Sequence, residues 1–320
     1  MDSASSRPRY TVIVPMARFR SDEPVLASLR AVPVPEGGLQ VIVAEGTCPA
    51  LQRNLAVARA LGDVVVFLDN DCALGEGFWP QLAAAFARPE VEIVGGPALL
   101  RPGASDGEQI FHDLLTHPLV VGGVAARYAA RGKFRAANQT DLILCNLAVR
   151  RETFARIGPL SSDLYPNEEN EWLDRAHAAG LGAYYDPALQ VFRPQRRTPR
   201  EMGTALLRYG IGRTRQFRVS GWRFTFHQVL PLVVVATFLA LIALRLELSF
   251  VLMWLVAAIV IAATCGASLR GWRRLAAGLV APCIPLTYAL GQVIGWFTVW
   301  FPAPAESAEV RLLDEAGEPI

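Results

Sequence analysis

Hydrophobic positions along the chain fall into two regimes, which part near residue 192. In the first, short apolar runs alternate with amphipathic stretches. Residues 10–14 read as a first buried strand closed by Pro15, followed by strands over 39–44, 63–68, 91–94 and 142–149. Val64, Val65, Val66, Phe67 and Leu68 are apolar without a break, the pattern of a strand buried on both faces. Helical spacing lies between the strands: Val25, Leu26 and Leu29 within 22–31, Leu51, Leu55 and Ala58 within 49–61, and a further helix over 76–87. Gly95-Gly96-Pro97 stops the fourth strand, a helix starts at 150–156 before Gly158-Pro159, and 182–185 and 189–192 finish the set. Strand and helix in alternation predict an α/β domain whose mostly parallel sheet is covered on both faces.

The second regime is different in kind. Residues 193–223 carry nine arginines against the single acid Glu201, with Met202, Ala205, Leu206 and Tyr209 as an apolar stripe, which predicts a basic amphipathic helix on a membrane surface. Uncharged stretches at 224–244, 248–269 and 275–305 follow, each long enough for a bilayer, with spans expected at about 224–244, 248–269 and 277–300. Arg270, Arg273 and Arg274 fall between the second and third, and five acids against Arg311 fall in 302–320. By the positive-inside rule the first domain is cytoplasmic and the C-terminus lies outside. The expected partition is a disordered lead 1–9, a globular domain 10–192, an interface segment 193–223, membrane helices 224–305 and an acidic tail 306–320.

Composition sharpens this only in part. A hydrophobic share of 52% and a mean hydropathy of +0.29 are high for a soluble chain. The net charge of +2 gives no general nucleic-acid signal, and nearly all the basicity is arginine. Residues 11–15 are too short for the apolar core of a signal peptide. Cys48, Cys72, Cys145, Cys265 and Cys283 form no CxxC spacing, as in a reduced compartment, and His112 and His117 lie on different helix faces.

Two acidic clusters carry the candidate chemistry. Asp69-Asn70-Asp71 ends the apolar run, so two carboxylates sit at the carboxyl end of a central strand, where open α/β sheets bind ligands. They are hard oxygen ligands suited to Mg2+ or Mn2+ held jointly with a diphosphate, or else a polar turn capping a strand. The second cluster, Glu168, Glu169 and Glu171 in LYPNEENEWLDRAHAAG, crowds a helix start ahead of Trp172, Leu173 and Ala176. Acids there also complement the helix dipole, at about 0.3–1 kcal/mol each.

The segments TVIVP, VIVAEGT and QRNLAVARALGDVVVFLDND resemble the opening of a family 2 glycosyltransferase with the GT-A fold. The resemblance implies donor-binding roles for Pro15, Glu45 (beside the nucleobase), Arg53, Asn54, Asp69 and Asp71, with the metal on Asp71 and Asp69. Arg53 otherwise reads as part of a solvated helix face. The family's NEDxE pattern is matched by Asn167, Glu168, Glu169, Asn170 and Glu171, which implies that Glu169 or Glu168 is the catalytic base in an inverting transfer. Two departures stand out: Glu45-Gly46-Thr47 where Asp then Ser is commoner, and glutamate at 169 where the family has aspartate. RPQRRTPR and RYGIGR are similar to the membrane-entry segment of bacterial exopolysaccharide glycosyltransferases of the succinoglycan-pathway kind. There Arg193, Arg196 and Arg197 would grip a lipid phosphate, and the absence of QxxRW argues against a polymerising enzyme. Residues 98–141 are expected to be loops and short helices over the acceptor side. The resemblance thus implies a metal-dependent enzyme of the bacterial inner membrane, using a UDP- or GDP-linked sugar and a polyprenyl-diphosphate-linked or glycolipid acceptor, with membrane lipids but no nucleic acid as partners. The rival readings are a polyprenyl-phosphate sugar transferase and a non-catalytic nucleotide-sugar sensor.

Overall fold

The computed structural model describes residues 7–221, 226–244, 247–264, 270–298 and 310–320. They divide into two compact units: one of Met1–Arg101, Ala126–Arg193 and Pro304–Ile320, the other of Pro102–Ala125 and Pro194–Ala303.

The first unit is built on strands β1 (Tyr10–Met16), β2 (Leu39–Glu45), β3 (Val64–Leu68), β4 (Ala73–Leu74), β5 (Ile93–Gly95), β6 (Ala98–Leu100), β7 (Arg135–Ala136), β8 (Asn146–Arg150), β9 (Ala183–Tyr185), β10 (Val191–Arg193) and β11 (Arg311–Leu313). Eight form one sheet in the order β11-β2-β1-β3-β8-β5-β9-β7, and β4, β10 and β6 form a second, small one. β2, β1 and β3 are parallel as expected. β8 lies antiparallel between β3 and β5, so the sheet is mixed. The chain reaches β8 from the far end of the sheet, after the long excursion that begins at residue 101. β8 also starts later than predicted, because residues 142–145 are taken up in turns anchored on Asn138 and Ile143.

Alternation along the strands sorts two cores. Val12, Val14, Val43, Val66 and Leu68 face helices α1 (Pro24–Ala31) and α3 (Phe78–Phe86). Ile13, Ile42, Val65 and Phe67 face the other side, that of α2 (Pro49–Arg59). Each strand of this kind removes both sets of side chains from water, which explains the unbroken apolar run of β3.

In the second unit, α4 (Asp106–Thr116) opens with a capping box: Ser105 Oγ accepts from the Glu108 amide and the Glu108 carboxylate accepts from the Ser105 amide. A regular helix therefore stands inside the stretch expected to be loops and short helices. The short α5 (Pro118–Val121) follows it. The arginine-rich segment forms α8 (Pro199–Val219), after α6 (Glu152–Ile157) and α7 (Glu168–Ala178) of the first unit. Then come α9 (Phe226–Ala243), α10 (Glu247–Thr264), α11 (Trp272–Val280) and α12 (Cys283–Thr298).

Four expectations change. Among the described residues only Trp272–Thr298 is long and apolar enough to cross a bilayer, and it is interrupted at 281–282, where Pro282 cannot donate a helical hydrogen bond. The flanks of the other expected spans, 222–225, 245–246, 265–269 and 299–309, lie outside the described residues. Three residues of the apolar stripe of α8, Met202, Ala205 and Leu206, are buried, Tyr209 stays exposed, and the helix packs along α12. Gly210, Gly291 and Gly295 let the two helices approach so closely that a Cβ on Gly210 would meet the Tyr288 carbonyl and one on Gly291 the Leu207 carbonyl. The C-terminal segment does not stand on the opposite side of a membrane from the first domain: β11 pairs antiparallel with β2. Finally, residues 1–6 of the expected disordered lead lie outside the described residues, while Arg9 donates its amide to the Gly37 carbonyl at 2.7 Å and belongs to the fold.

Among the described residues Trp172 of α7 is the largest fully buried side chain. It packs on Phe154 and donates from Nε1 to the Gly158 carbonyl at 3.0 Å. Trp172→Ala should lower the stability of this unit by about 3–5 kcal/mol, read as a drop in its thermal midpoint. A midpoint unchanged from wild type would contradict this packing.

Candidate active site

The site grows out of the carboxyl end of β3. Asp69 and Asp71 follow its last residue, and the β4–β10 pairing, Phe192 opposite Ala73, carries Arg193 alongside them. Arg193 donates to Asp69 at 3.2 Å and to Asp71 at 3.0 Å. Arg193 was expected at the acceptor; it lies on the strand-end carboxylates. Burial opposes its charge, but the neighbouring Asp69 and Asp71 carboxylates, with the Cys145 and Cys72 thiols, hold its pKa above that of an ordinary arginine.

α2 supplies the second cation. Arg53 is buried, donating from Nη2 to Asp69 Oδ1 at 3.0 Å and from Nη1 to Glu168 Oε1 at 3.1 Å. One guanidinium thereby ties the first acidic cluster to the second, and the solvated-face reading of Arg53 fails. Its Nε has no hydrogen-bond partner. Asn54, one residue on, does something else. Its amide donates to the Leu160 carbonyl at 2.8 Å and accepts from the Leu160 amide at 2.9 Å, which locks α2 to the loop before α7. Asn54 was expected at the donor; in the structure its side chain is taken up by this backbone lock.

α7 presents the second cluster. Asn167 adopts a left-handed conformation with φ of 90°, which asparagine tolerates better than most residues, and accepts from Asn170 Nδ2 at 2.7 Å. That turn sets Glu168 and Glu169 on the first turn of the helix. Glu171 faces away from them in function: it pairs with Arg175 four residues on, at 2.7 Å. Glu168 is nearly inaccessible; desolvation, then the Glu169 charge, push its pKa up to about 7 against the pull of Arg53. Glu169 retains 15% side-chain exposure and lies 3.8 Å from Arg127.

Arg127 escaped the sequence reading. It donates to the carbonyls of Gln139 and Thr140 and to Asn170 Oδ1 at 2.5 Å, so it pins the start of α7 from the side. Nothing in the surrounding Gly-Gly-Val-Ala-Ala sequence marks it out, because its partners are backbone groups and a residue 43 positions away.

Pro15 lies within β1, opposite Ala44, so the strand runs through it to Met16. Glu45 ends β2, two strands from Asp69; it accepts from the Phe19 amide at 2.8 Å and pairs with Arg311. That amide first, and Arg311 after it, hold its carboxyl below the ordinary value. Arg196 and Arg197 belong to the second unit, where Arg197 stands 3.8 Å from the buried Glu108.

The donor set fits a divalent cation of the hard kind. Asp69 and Asp71 keep side-chain exposures of 27% and 31%, and their paired charge already holds a guanidinium. Among the described residues no three His, Cys, Asp or Glu side chains converge, so the protein would supply two carboxylates and leave the other positions to ligand oxygens and water. The chemistry available is a cation-binding strand end beside a buried arginine and two helix-start carboxylates.

The mixed α/β sheet carries this set of groups at its carboxyl edge, and the GT-A fold is supported by the likenesses that follow. Residues 25–158 match Glycosyl transferase family 2. That stretch, less than half of the chain, is similar to the family's domain, and the protein is a glycosyltransferase. The match covers Asp69 and Asp71 and stops ten residues before Glu168. The mannosyltransferase PcManGT from Pyrobaculum calidifontis, solved in complex with GDP-Man and Mn2+, is similar over 92% of this chain and 88% of its own, with 18% identity and a TM-score of 0.54. TarS of S. aureus overlaps 68% of this chain and 44% of its own, at 12% identity and a TM-score of 0.40. No curated protein matches the sequence. At such identities the first likeness speaks for the fold alone.

The raised pKa of Glu168 has a stability consequence with a definite sign. Folding favours its protonated form, so its contribution is fully present below the unfolded value of 4.5 and is lost as pH rises through about 7. Glu168→Gln stays neutral throughout. The difference in thermal midpoint, variant minus wild type, should grow over that window and level off above it. A difference independent of pH would contradict the raised value.

Proposed function

We propose that the protein transfers a sugar from a nucleoside-diphosphate donor to a lipid-borne acceptor, with inversion, using Mg2+ or Mn2+. The observation that carries this is Arg53, whose two ion pairs bring Asp69 and Glu168 to one place. A sugar hydroxyl is a weak nucleophile at neutral pH, so a carboxylate must take its proton as it attacks the anomeric carbon. Glu169 is assigned this role, being the more accessible of the pair and held on the first turn of α7. Glu168, buried against Arg53, is assigned to holding that guanidinium in position. On the far side of the bond that breaks, Asp71 and Asp69 would hold the cation, which when bound neutralises charge gathering on the leaving diphosphate. Arg193 and the unpartnered Nε of Arg53 are further donors for the same oxygens. A proton acceptor on one side and a charge sink on the other suit a single displacement. GDP-mannose in the Pyrobaculum calidifontis enzyme supports a GDP- over a UDP-linked donor.

The second unit supports a lipid-borne acceptor and a membrane location. Leu248, Val251, Leu252, Val256, Ile259 and Phe297 are each about half exposed or more, an apolar surface of the kind that water does not tolerate uncovered. Since β11 returns to the sheet of the catalytic unit, the chain between them must cross a bilayer an even number of times or only enter it. A reporter fused after Ile320 should therefore report the cytoplasm, with a fluorescent protein folding there and a periplasmic phosphatase inactive. The opposite pattern would overturn this topology.

Activity is tested with detergent-purified protein and a panel of nucleotide sugars, with Mn2+ or EDTA. We expect metal-dependent release of one nucleoside diphosphate, lost in Asp71→Asn. With acceptor lipid, Glu169→Gln should lower the transfer rate by about 10²–10⁴-fold while leaving donor KM near wild type. Neither release nor nucleotide binding in any condition would sink the reading.

A further inference from the structure

The C-terminal segment is folded against the catalytic sheet with more care than an edge cover requires. β11 pairs with β2 in a register that sets Arg311 opposite Glu45, Leu312 opposite Ala44 and Leu313 opposite Val43. The chain then turns back on itself. Asp314 accepts from the amides of Ala316 and Glu318 at 2.8 and 2.9 Å, and Ile320 donates its amide to the Leu312 carbonyl at 3.1 Å. Gly317, with φ of 92°, lies flat on the Phe19 ring, where any Cβ would collide with ring carbons. From outside, Arg30 donates to the Glu315 carbonyl at 3.0 Å. The result is a small closed hairpin, and it leaves a cleft of about 440 Å³ lined by Phe19, Glu45, Arg311, Leu313, Pro319 and Ile320.

The position of this cleft matters. Glu45 is at the carboxyl end of β2, the same end at which β3 delivers Asp69 and Asp71, with β1 between. Two strand spacings are about 10 Å, the reach of a ribose and a base from a diphosphate held on the aspartates. The cleft offers one aromatic wall, one carboxylate and one guanidinium side by side. Guanine carries two adjacent N–H donors, at N1 and N2, which suit the two oxygens of a carboxylate, and two acceptors, O6 and N7, which suit an arginine fork. Uracil offers a carboxylate only one N–H, flanked by two carbonyl oxygens. Both oxygens of Glu45 already accept one bond each, from Phe19 and Arg311, and a carboxylate has room for more.

We infer that the C-terminal hairpin is part of the donor site and that Arg311 is a specificity-determining residue, reading a guanine base beside Glu45. This rests on the donor-site reading given above. It makes the last eleven residues part of nucleotide recognition, though 266 residues separate Arg311 from Glu45 along the chain.

The test is calorimetric titration of the full-length protein in detergent with GDP, UDP and inorganic pyrophosphate, each with Mn2+. Wild type should bind GDP more tightly than UDP. Arg311→Ala should lose roughly tenfold or more in GDP affinity with pyrophosphate affinity within twofold of wild type, since the diphosphate end is untouched. Arg311→Lys keeps the charge and the strand pairing but not the fork, so it should lose most of the preference for GDP over UDP. An unchanged thermal midpoint in the lysine variant separates lost recognition from lost folding. GDP bound equally well by all three proteins, UDP preferred by wild type, or tighter GDP binding in Arg311→Ala, as an autoinhibitory hairpin would give, each overturns the inference and leaves the donor-site reading standing. No binding of any of the three probes by wild type overturns both.

Discussion

A single buried guanidinium holds the catalytic half together. Arg53 lies between Asp69 at the end of β3 and Glu168 at the start of α7, with 16 residues to one partner and 115 to the other. Burying a charged pair costs desolvation on both sides, and the attraction offsets it only when the geometry is close. Once it is, removing one partner leaves an uncompensated buried charge, at about 3–5 kcal/mol. The helix bearing Arg53, the strand bearing Asp69 and the helix bearing Glu168 are thus held in one arrangement by a cost that any displacement incurs. Asn54 and Arg127 reinforce it from two sides by fastening loop backbone to α2 and to α7.

Around that pair the site is a nearly balanced set of charges. Asp69, Asp71, Glu168 and Glu169 face Arg53, Arg127 and Arg193. The remaining negative charge is divided unequally, because burial penalises it far more at Glu168 than at the half-open aspartates. Burial, with the neighbouring Glu169 charge, makes Glu168 resist ionisation, the kind of effect by which neighbouring acids come to take different roles. Arg193 gives the aspartates a cation of the protein's own, so a metal bound there as proposed would exchange one set of charge contacts for another instead of entering bare carboxylates.

The second unit shows a different constraint. Its helices α8 and α12 meet along Gly210, Gly291 and Gly295, where backbones approach too closely for any Cβ, and Thr214 donates to the Gln292 carbonyl at 3.0 Å. Such a seam relies on close backbone packing and hydrogen bonding. Much of the apolar stripe of the basic helix is buried as well, at Met202, Ala205 and Leu206.

The sequence by itself determined the local elements and the chemistry at their ends. Unbroken apolar runs mark β1 to β3 because these strands are buried on both faces, and Asp69-Asn70-Asp71 and the glutamates before Trp172 stand out because acids crowd the ends of elements. Resemblance singled out Arg53 and Glu45; the structure sets Arg53 between Asp69 and Glu168, and Glu45 against Phe19 and Arg311. The tertiary structure alone decided what joins what. Asn54 is adjacent to Arg53 in sequence yet turns to Leu160, and Arg193 leaves the arginine-rich stretch to pair with the aspartates, since strand pairing, which no local pattern encodes, aims both. Charge counting sent the tail across a membrane; β11 brought it back to β2. The physical reason is one throughout: periodicity reports how each segment meets water, whereas partners far apart in the chain are chosen by which backbone groups and charges remain unpaired once the segments have packed.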